Sequence, residues 1–352
     1  MPNFYDSWLD MWNKSESEKT AARKGIHEEE LEWVETIQDS RSALVVAPET
    51  GFRTWGTVTM VSEISPGEHS GAHKHGEESI LILSGNGFSV IDNVRYDWKR
   101  HSLLSIPFGS VHQHFNTGDE TVRYLSVLTP HLEHFCGLHR TIQVEPWGKT
   151  TTEPEVEVSA DGYGPEGTRI RLHREDAIVA AGEGDGVPVL PMEMPDFDPE
   201  HPLILGDLDG MHDLPAGFHK SSIIQYMRIG KDTNDVKMHT TEISGLLIDP
   251  AHEYGGMHAH MEAHLYCLKG TGYSLVDGVK VPWKPGTGFH VPGPQTAHRH
   301  VNEGDEESEL VRIAFGIRYF WERAAKREFP YLYLSPRQAV LEKNLNRSGG
   351  SR

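Results

Sequence analysis

One pattern constrains this 352-residue chain more than any other, because it occurs twice at a fixed distance. Residues 73–85 read HKHGEESILILSG and residues 258–270 read HAHMEAHLYCLKG, so each sets a His-x-His pair ahead of an apolar run that stops at a Gly-x-Gly turn. His73 and His258, His75 and His260, Gly85 and Gly270, and Trp98 and Trp283 are all 185 residues apart. Beyond the turn the copies continue as GFSVIDNVRYDW from Gly87 and GYSLVDGVKVPW from Gly272. Asp92-Asn93 and Asp277-Gly278 are the kind of pair that a two-residue hairpin loop selects, since such loops need positive φ. The chain is long for one ordinary core, and the offset divides it into two copies of one strand-turn-strand unit.

Short strand-like runs bounded by Gly and Pro surround the first copy: Ala43 to Val46, Thr54 to Val61, Ser79 to Leu83, Phe88 to Ile91, Leu103 to Ile106 and Val122 to Val127. Many short strands at close spacing indicate a sandwich or barrel, and the pattern resumes near Ile223 and runs to Gly316. The expected organisation is an N-terminal helical segment (1–42), a first barrel (43–148), a connection (149–220), a second barrel (221–318) and a C-terminal helical tail (319–352). Phe4, Trp8, Leu9 and Trp12 recur at helical spacing, which predicts one or two N-terminal helices packed on a domain or a neighbouring subunit. Helical stretches are expected in the tail around Trp321 to Lys326 and Gln338 to Leu345. The connection is rich in Pro, Glu, Gly and Asp, and a loop this long suits a link between two domains.

The formal charge of −19 speaks against nucleic-acid and anionic-membrane surfaces, which call for a basic face. Cys136 and Cys267, one in each half, form no disulfide framework and fit a reducing compartment; Cys267 lies in a strand-like run as a small core residue. The N-terminus carries no basic stretch followed by an apolar one, and no run approaches the roughly 20 apolar residues of a membrane span, so the cytoplasm is the expected location.

Each half has a second signature about 25 residues beyond the first: PFGSVHQHFN from Pro107 and PGPQTAHRHVN from Pro292. Side chains two apart share a strand face, so His73 and His75 point one way, as do His112, His114 and Asn116; His258 with His260 and His298 with His300 and Asn302 repeat this. If the paired strands are neighbours, three imidazoles converge in each half, a donor set for Fe, Zn, Ni, Cu or Mn-type ions that leaves positions open for substrate and oxygen. Glu77 and Glu262 face the opposite side of a regular strand, where a solvated or supporting carboxylate is expected. His131, His134 and His139 are irregularly spaced, as loop or surface histidines are, and GEGDG from Gly182 lacks the strand-to-helix context of a phosphate loop.

The spacings Gly67-x5-His73-x-His75-x2-Glu78-x6-Gly85 and Pro107-x-Gly109-x2-His112-x3-Asn116 resemble the paired signatures of the cupins, and the repeat makes the chain resemble a bicupin. The resemblance covers about residues 43–130 and 223–316 and implies an all-β fold, two cupin (double-stranded β-helix, jelly-roll) barrels in tandem with flanking helices. The interval between the second His and Glu78 is one residue shorter than the usual pattern. Glu78 occupies the place of the family's carboxylate ligand, and the second half has Ala263 there. The implied metal ligands are thus His73, His75, Glu78 and His112 in the first half and His258, His260 and His298 in the second.

Within the cupins, the His-x-His-x-Asn ending and the bicupin length resemble the ring-cleaving dioxygenases of gentisate, salicylate and hydroxynaphthoate. That resemblance implies Fe(II), with Mn as the alternative, O2 as co-substrate and no organic cofactor. It also implies a small aromatic substrate, a homo-oligomer (dimer or tetramer), and catalytic places for His114 and His300 beside a bound phenol. Two departures stand out: Ile80, Leu81 and Ile82, or Leu265, Tyr266 and Cys267, occupy the positions of the substrate-carboxylate Arg, and the second half keeps its ligand set. Arg53, Arg123, Arg312 and Arg318 are the available substitutes, or the substrate is a hydroquinone. The competing expectations are a Mn-dependent bicupin decarboxylase or oxidase of the oxalate type, which Glu78 favours, and a non-catalytic small-molecule-binding bicupin.

Overall fold

The short apolar runs fold as strands: Arg41–Val46, Val58–Ile64, Glu78–Ser84, Asn86–Ile91, Ser102–Ile106 and Val122–Leu128 contain most of the predicted positions. A computed structural model describes residues 3–138, 140–175, 221–227, 240–315 and 332–334, apart from positions 249, 252, 260, 261, 294 and 295. The hairpin loops take the predicted form, with positive φ at Asp92 (47°) and Asn93 (64°) and at Asp277 (52°) and Gly278 (75°). Gly87 is demanded by close approach: a Cβ there would lie 2.0 Å from the Phe115 carbonyl oxygen, and one at Gly272 would lie 2.0 Å from that of Val301.

Among the described residues four sheets form, two per half, in matching order. The first half has a six-stranded sheet, Arg171–His173, Ser102–Ile106, Glu78–Ser84, Val122–Leu128, Val58–Ile64 and Arg41–Val46. The second half repeats it as Gly25–His27, Thr287–Val291, Ala263–Lys269, Ser308–Phe315, Thr241–Ile248 and Ser221–Met227. The facing sheets centre on Ala72–Lys74, His112–Asn116, Asn86–Ile91 and Val94–Lys99 in one half, and on Glu253–Ala259, His298–Asn302, Gly272–Val276 and Val279–Trp283 in the other. The all-β architecture of two tandem barrels that the resemblance implies is the one observed.

Alternation along the strands explains where the cores sit. Ile80 and Ile82 point into the first barrel with Ile64, Tyr96, Trp98 and Tyr124, while Leu81 points the other way. In the second half Leu265 and Cys267 fill the barrel and Tyr266 points out of it. The outward sides of the two six-stranded sheets meet, and Leu81, Leu125 and Val127 share a third core with Tyr266, Val311, Ile313 and Phe315. The run from Glu78 to Ile82 is therefore buried on both faces, which is why Ile80, Leu81 and Ile82 follow one another without polar alternation. Val94–Lys99, whose outer side meets solvent, shows the alternation of a half-buried strand. Cys267 is a core residue as expected, its thiol pushed up to about 12 by burial.

Three segments differ from the sequence reading. The N-terminal part holds the expected helix, Phe4–Ala21, but its aromatic face packs on neither barrel, with Phe4 at 70% and Trp8 at 57% exposed. It is followed by the strand Gly25–His27, which pairs with Thr287–Val291 of the second half. The first barrel continues past residue 148, because Glu157–Val158 and Arg171–His173 join its two sheets. The tail supplies the strand Leu332–Leu334 against Glu253–Ala259, and the helical stretches expected around it lie outside the described residues. These edge strands are short and carry little period-two signal, so only the sheets that receive them define them. Among the described residues, no helix is long and apolar enough to cross a membrane.

Candidate metal centre

The two signatures of the first half are brought together by one cross-strand register, in which His73 lies opposite His112. The Gly109 amide donates to the His75 carbonyl at 2.7 Å and joins the two signature loops directly. The rings of His73, His75 and His112 lie 4.4–4.8 Å apart, centroid to centroid. Glu78, the first residue of its strand, brings Oε2 to 3.4 Å from Nε2 of both His75 and His112. One ligand atom from each of His73, His75, Glu78 and His112 lies within 4.8 Å of the others. The shorter interval before Glu78 thus still delivers the carboxylate to the three imidazoles.

Hydrogen bonds orient the rings. His75 Nδ1 donates to the Gly76 carbonyl at 3.0 Å and His112 Nδ1 to the Ser110 carbonyl at 2.9 Å. An Nδ1 proton held by a carbonyl leaves the Nε2 lone pair facing inward, the arrangement typical of a metal-ligating histidine. His112 Nε2 is buried and makes no hydrogen bond among the described residues, which fits an atom whose partner is a cation. Burial pushes the Glu78 carboxyl up, but the facing His112 and His75 imidazoles outweigh it and hold the group well below the carboxylate range. His73 is pushed down to about 2 by burial and by the neighbouring His112 and His75, so it stands as a neutral donor. The residues present therefore fit a divalent transition-metal ion held by three nitrogens and one oxygen.

His114 lies deeper in the barrel, 5.7 Å from His112 between ring centroids and 4% exposed. Its Nδ1 is 2.7 Å from Ser89 Oγ, which also accepts a 2.8 Å hydrogen bond from Trp98 Nε1. The second half repeats the relay, with His300 Nδ1 2.8 Å from Ser274 Oγ and Trp283 Nε1 donating to Ser274 at 3.2 Å. Burial, reinforced by His112, pushes His114 down to about 3 and keeps it neutral. Asn116 and Asn302 have a structural task. Each donates to the carbonyls of a neighbouring strand and of the following turn, Ile64 and Glu120 or Ile248 and Glu306, and accepts from the Gly118 or Gly304 amide.

In the second half the backbone places His258 opposite His298, as His73 lies opposite His112. His298 is buried, and its Nδ1 donates to the Thr296 carbonyl at 2.8 Å. His260 and the side chain of His258 fall outside the described residues. Ala263 occupies the Glu78 position in the apolar core of that barrel.

Glu77 and Glu262 do face away from the barrels, but into the core between the halves, so the expectation of a solvated carboxylate is overturned. Glu77 Oε2 accepts from the Thr240 amide at 2.8 Å and from its hydroxyl at 3.0 Å. Glu262 accepts from the Trp55 amide with both oxygens at 3.1 Å.

Other neighbours of the first centre carried no motif. Glu133, on the short helix Pro130–Phe135, presses on the ligand loop so closely that a Cβ on Gly76 would lie 1.9 Å from its Oε2. Tyr124 packs 5.3 Å from His114 and donates a 2.7 Å hydrogen bond to the buried Asp39. His131 pairs with Glu49 at 2.8 Å at the surface, His134 is exposed, and His139 lies outside the described residues. Of the candidate clamps, Arg53 is bound to Ser15 and Glu18, Arg123 to Glu63 and Glu28, and Arg312 to Glu242 and Ser244. Arg318 lies outside the described residues.

Comparison with known proteins agrees with this architecture. The cupin domain family matches residues 60–128 and 246–314, so the chain carries two cupin domains in tandem. A gentisate 1,2-dioxygenase of Haloferax sp. is 31% identical over 91 residues, and the match takes in 24% of this chain but only 25% of that protein. Salicylate 1,2-dioxygenase from Pseudaminobacter salicylatoxidans superposes with a TM-score of 0.55 at 13% identity, over 79% of this chain and 75% of that one. A variant of Bacillus subtilis oxalate decarboxylase superposes with a TM-score of 0.57 at 12% identity, over 83% of this chain and 77% of that one. At these identities the structural likeness is one of fold.

Proposed function

We propose that this two-cupin protein is an Fe(II)-dependent dioxygenase that cleaves the ring of a hydroxylated aromatic compound of the gentisate, salicylate, hydroxynaphthoate or hydroquinone class. The observation that carries the reading is the first centre itself: three imidazoles turned toward one point, two of them locked through Nδ1 to backbone carbonyls. When bound there, the ion supplies Lewis acidity and a one-electron exchange between an aromatic substrate and O2. His73, His75 and His112 hold it, and Glu78 is a fourth donor. His73 is the partly exposed member of the four and marks the side from which a small molecule arrives.

His114 acts on the substrate as a neutral hydrogen-bonding group. Ser89 accepts from Trp98 and so has its own proton for His114 Nδ1, which puts the imidazole proton on Nε2 as a donor toward a phenolic or quinonoid oxygen. His300 takes the same part in the second half. The bound state of Arg53, Arg123 and Arg312 favours a substrate recognised through its hydroxyl groups. The exposed aromatic face of the N-terminal helix suits contact with another copy of the chain, and we place the protein in the cytoplasm as a homo-oligomer.

A second reading is favoured by one observation: Glu78 Oε2 lies 3.4 Å from two imidazole nitrogens, and a three-His-one-Glu set suits Mn and oxalate-type decarboxylation. The two readings part in one experiment. Anaerobically purified, Fe(II)-loaded protein is expected to take up O2 with gentisate, salicylate, hydroxynaphthoate or hydroquinone. Release of CO2 from oxalate by the Mn-loaded protein without net O2 uptake, together with silence on the aromatic panel, overturns the first reading.

A further inference from the structure

The face of the second cupin that meets the first carries a buried group that none of the chemistry above employs. Glu262, His264 and His290 are each 0% exposed, and one ligand atom from each lies within 4.8 Å of the others. His290 Nε2 is 2.8 Å and His264 Nε2 3.5 Å from Glu262 Oε1. The Thr57 hydroxyl of the other half stands 3.3 Å from both Glu262 Oε2 and His264 Nε2. His264 Nδ1 is anchored 2.9 Å from Thr59 Oγ1, which turns Nε2 toward the carboxylate. His290 Nδ1 is buried without a hydrogen-bond partner among the described residues, so the contacts of this ring run through Nε2.

The repeat shows that joining the halves does not require these histidines. His264 and His290 lie directly across from one another on neighbouring strands, and the corresponding cross-strand pair in the first half is Ser79 and Ser105. Glu77, the counterpart of Glu262, reaches the Thr240 amide and hydroxyl of the opposite half. Two serines have thus been exchanged for two histidines that converge on the same carboxylate. Among the described residues Glu262 forms ion pairs with these imidazoles and with no Lys or Arg. A carboxylate removed from water calls for a compensating positive charge.

We infer that Glu262, His264 and His290, with the Thr57 hydroxyl beside them, form a structural site for a divalent transition-metal ion, Zn2+ in the first instance, at the junction of the two cupins. Two imidazoles and one carboxylate are an ordinary donor set for such an ion, and full burial makes it a slowly exchanging structural ion. Because Glu262 also accepts from the Trp55 amide, the ion braces the second half against the first. The inference is independent of the chemistry at the first centre.

The test counts metal in the full chain, produced with Zn2+ and freed of loosely bound ions by dialysis. H264S/H290S, which restores the pair that the first half uses, is expected to hold one equivalent fewer than wild type. The same one-equivalent loss is expected when the pair is changed in an H298A background, which removes the second barrel's centre from the count. E262Q keeps an oxygen acceptor for the Trp55 amide and removes the charge, and it is expected to lose the same equivalent, so the answer survives if the serine pair fails to fold. Unchanged metal in E262Q, or a loss that vanishes in the H298A background, overturns the site.

Discussion

The two halves share strand order, hairpin geometry and the Trp–Ser–His relay, yet the first adds a carboxylate inside its barrel where the second adds two histidines on the outer face of the sheet. In the first half Glu78 turns into the barrel beside three imidazoles, and the reverse face carries Glu77 with Ser79 and Ser105. In the second, Ala263 turns into the barrel and the reverse face carries His264 and His290 with Glu262. A strand with both faces buried can host a polar cluster on either, because each face has its own core, and one residue step decides which core receives it.

The sharpest way to break the comparison is to move the carboxylate. Ala263→Glu writes the Glu78 residue into the second barrel, where Ala263 is 1% exposed among Leu246, Leu265 and Val291. Without metal the variant is expected to lose about 3–5 kcal/mol of stability, the scale of an uncompensated buried charge. Chemical denaturation with and without added Fe(II) or Mn(II) checks this, and a metal-free variant as stable as wild type would show that the second barrel already tolerates a carboxylate.

A smaller effect concerns Asp39 and Tyr124, a pair peculiar to the first half: Tyr124 stands opposite Ile82, and Leu310 holds the corresponding place opposite Cys267. Burial pushes Asp39 up from 3.8 to about 6, against the lowering effect of hydrogen bonds from Tyr124 and Ser42. The folded state then holds this proton more tightly than the unfolded chain. Stability contributed by the group is present below pH about 4 and is lost as pH rises to about 6, a fall on the order of 3 kcal/mol. Asp39→Asn is expected to remove that slope, which a set of denaturation midpoints between pH 4 and 6 would show; an unchanged slope would mean that Asp39 is ionised in the folded protein.

Much of this was legible in the sequence. The histidine pairs, the hairpin residues and the strand runs are local signals at a repeated spacing, and the register of His73 opposite His112 realises them. What escaped depends on contacts between distant segments. Glu77 and Glu262 sit on the outer side of their strands, and only the meeting of two sheets turns that side into a core. His264 and His290 are lone histidines within apolar runs, and their one sequence signal is the Ser-to-His exchange at both 79/264 and 105/290 in the repeat. Glu133 and Asp39 carry no motif because the chain brings them to the ligand loop and to Tyr124 from outside the paired signatures.

The central claim is that the first cupin, with its imidazoles and Glu78, carries the chemistry. O2 uptake by Fe(II)-loaded protein with its best aromatic substrate, measured for wild type, His112→Ala and His298→Ala, tests it most directly. The account predicts that His112→Ala abolishes uptake and loses the metal of the first centre, while His298→Ala retains most of the activity. Full activity in His112→Ala with silence in His298→Ala would contradict it and move the active centre to the second cupin.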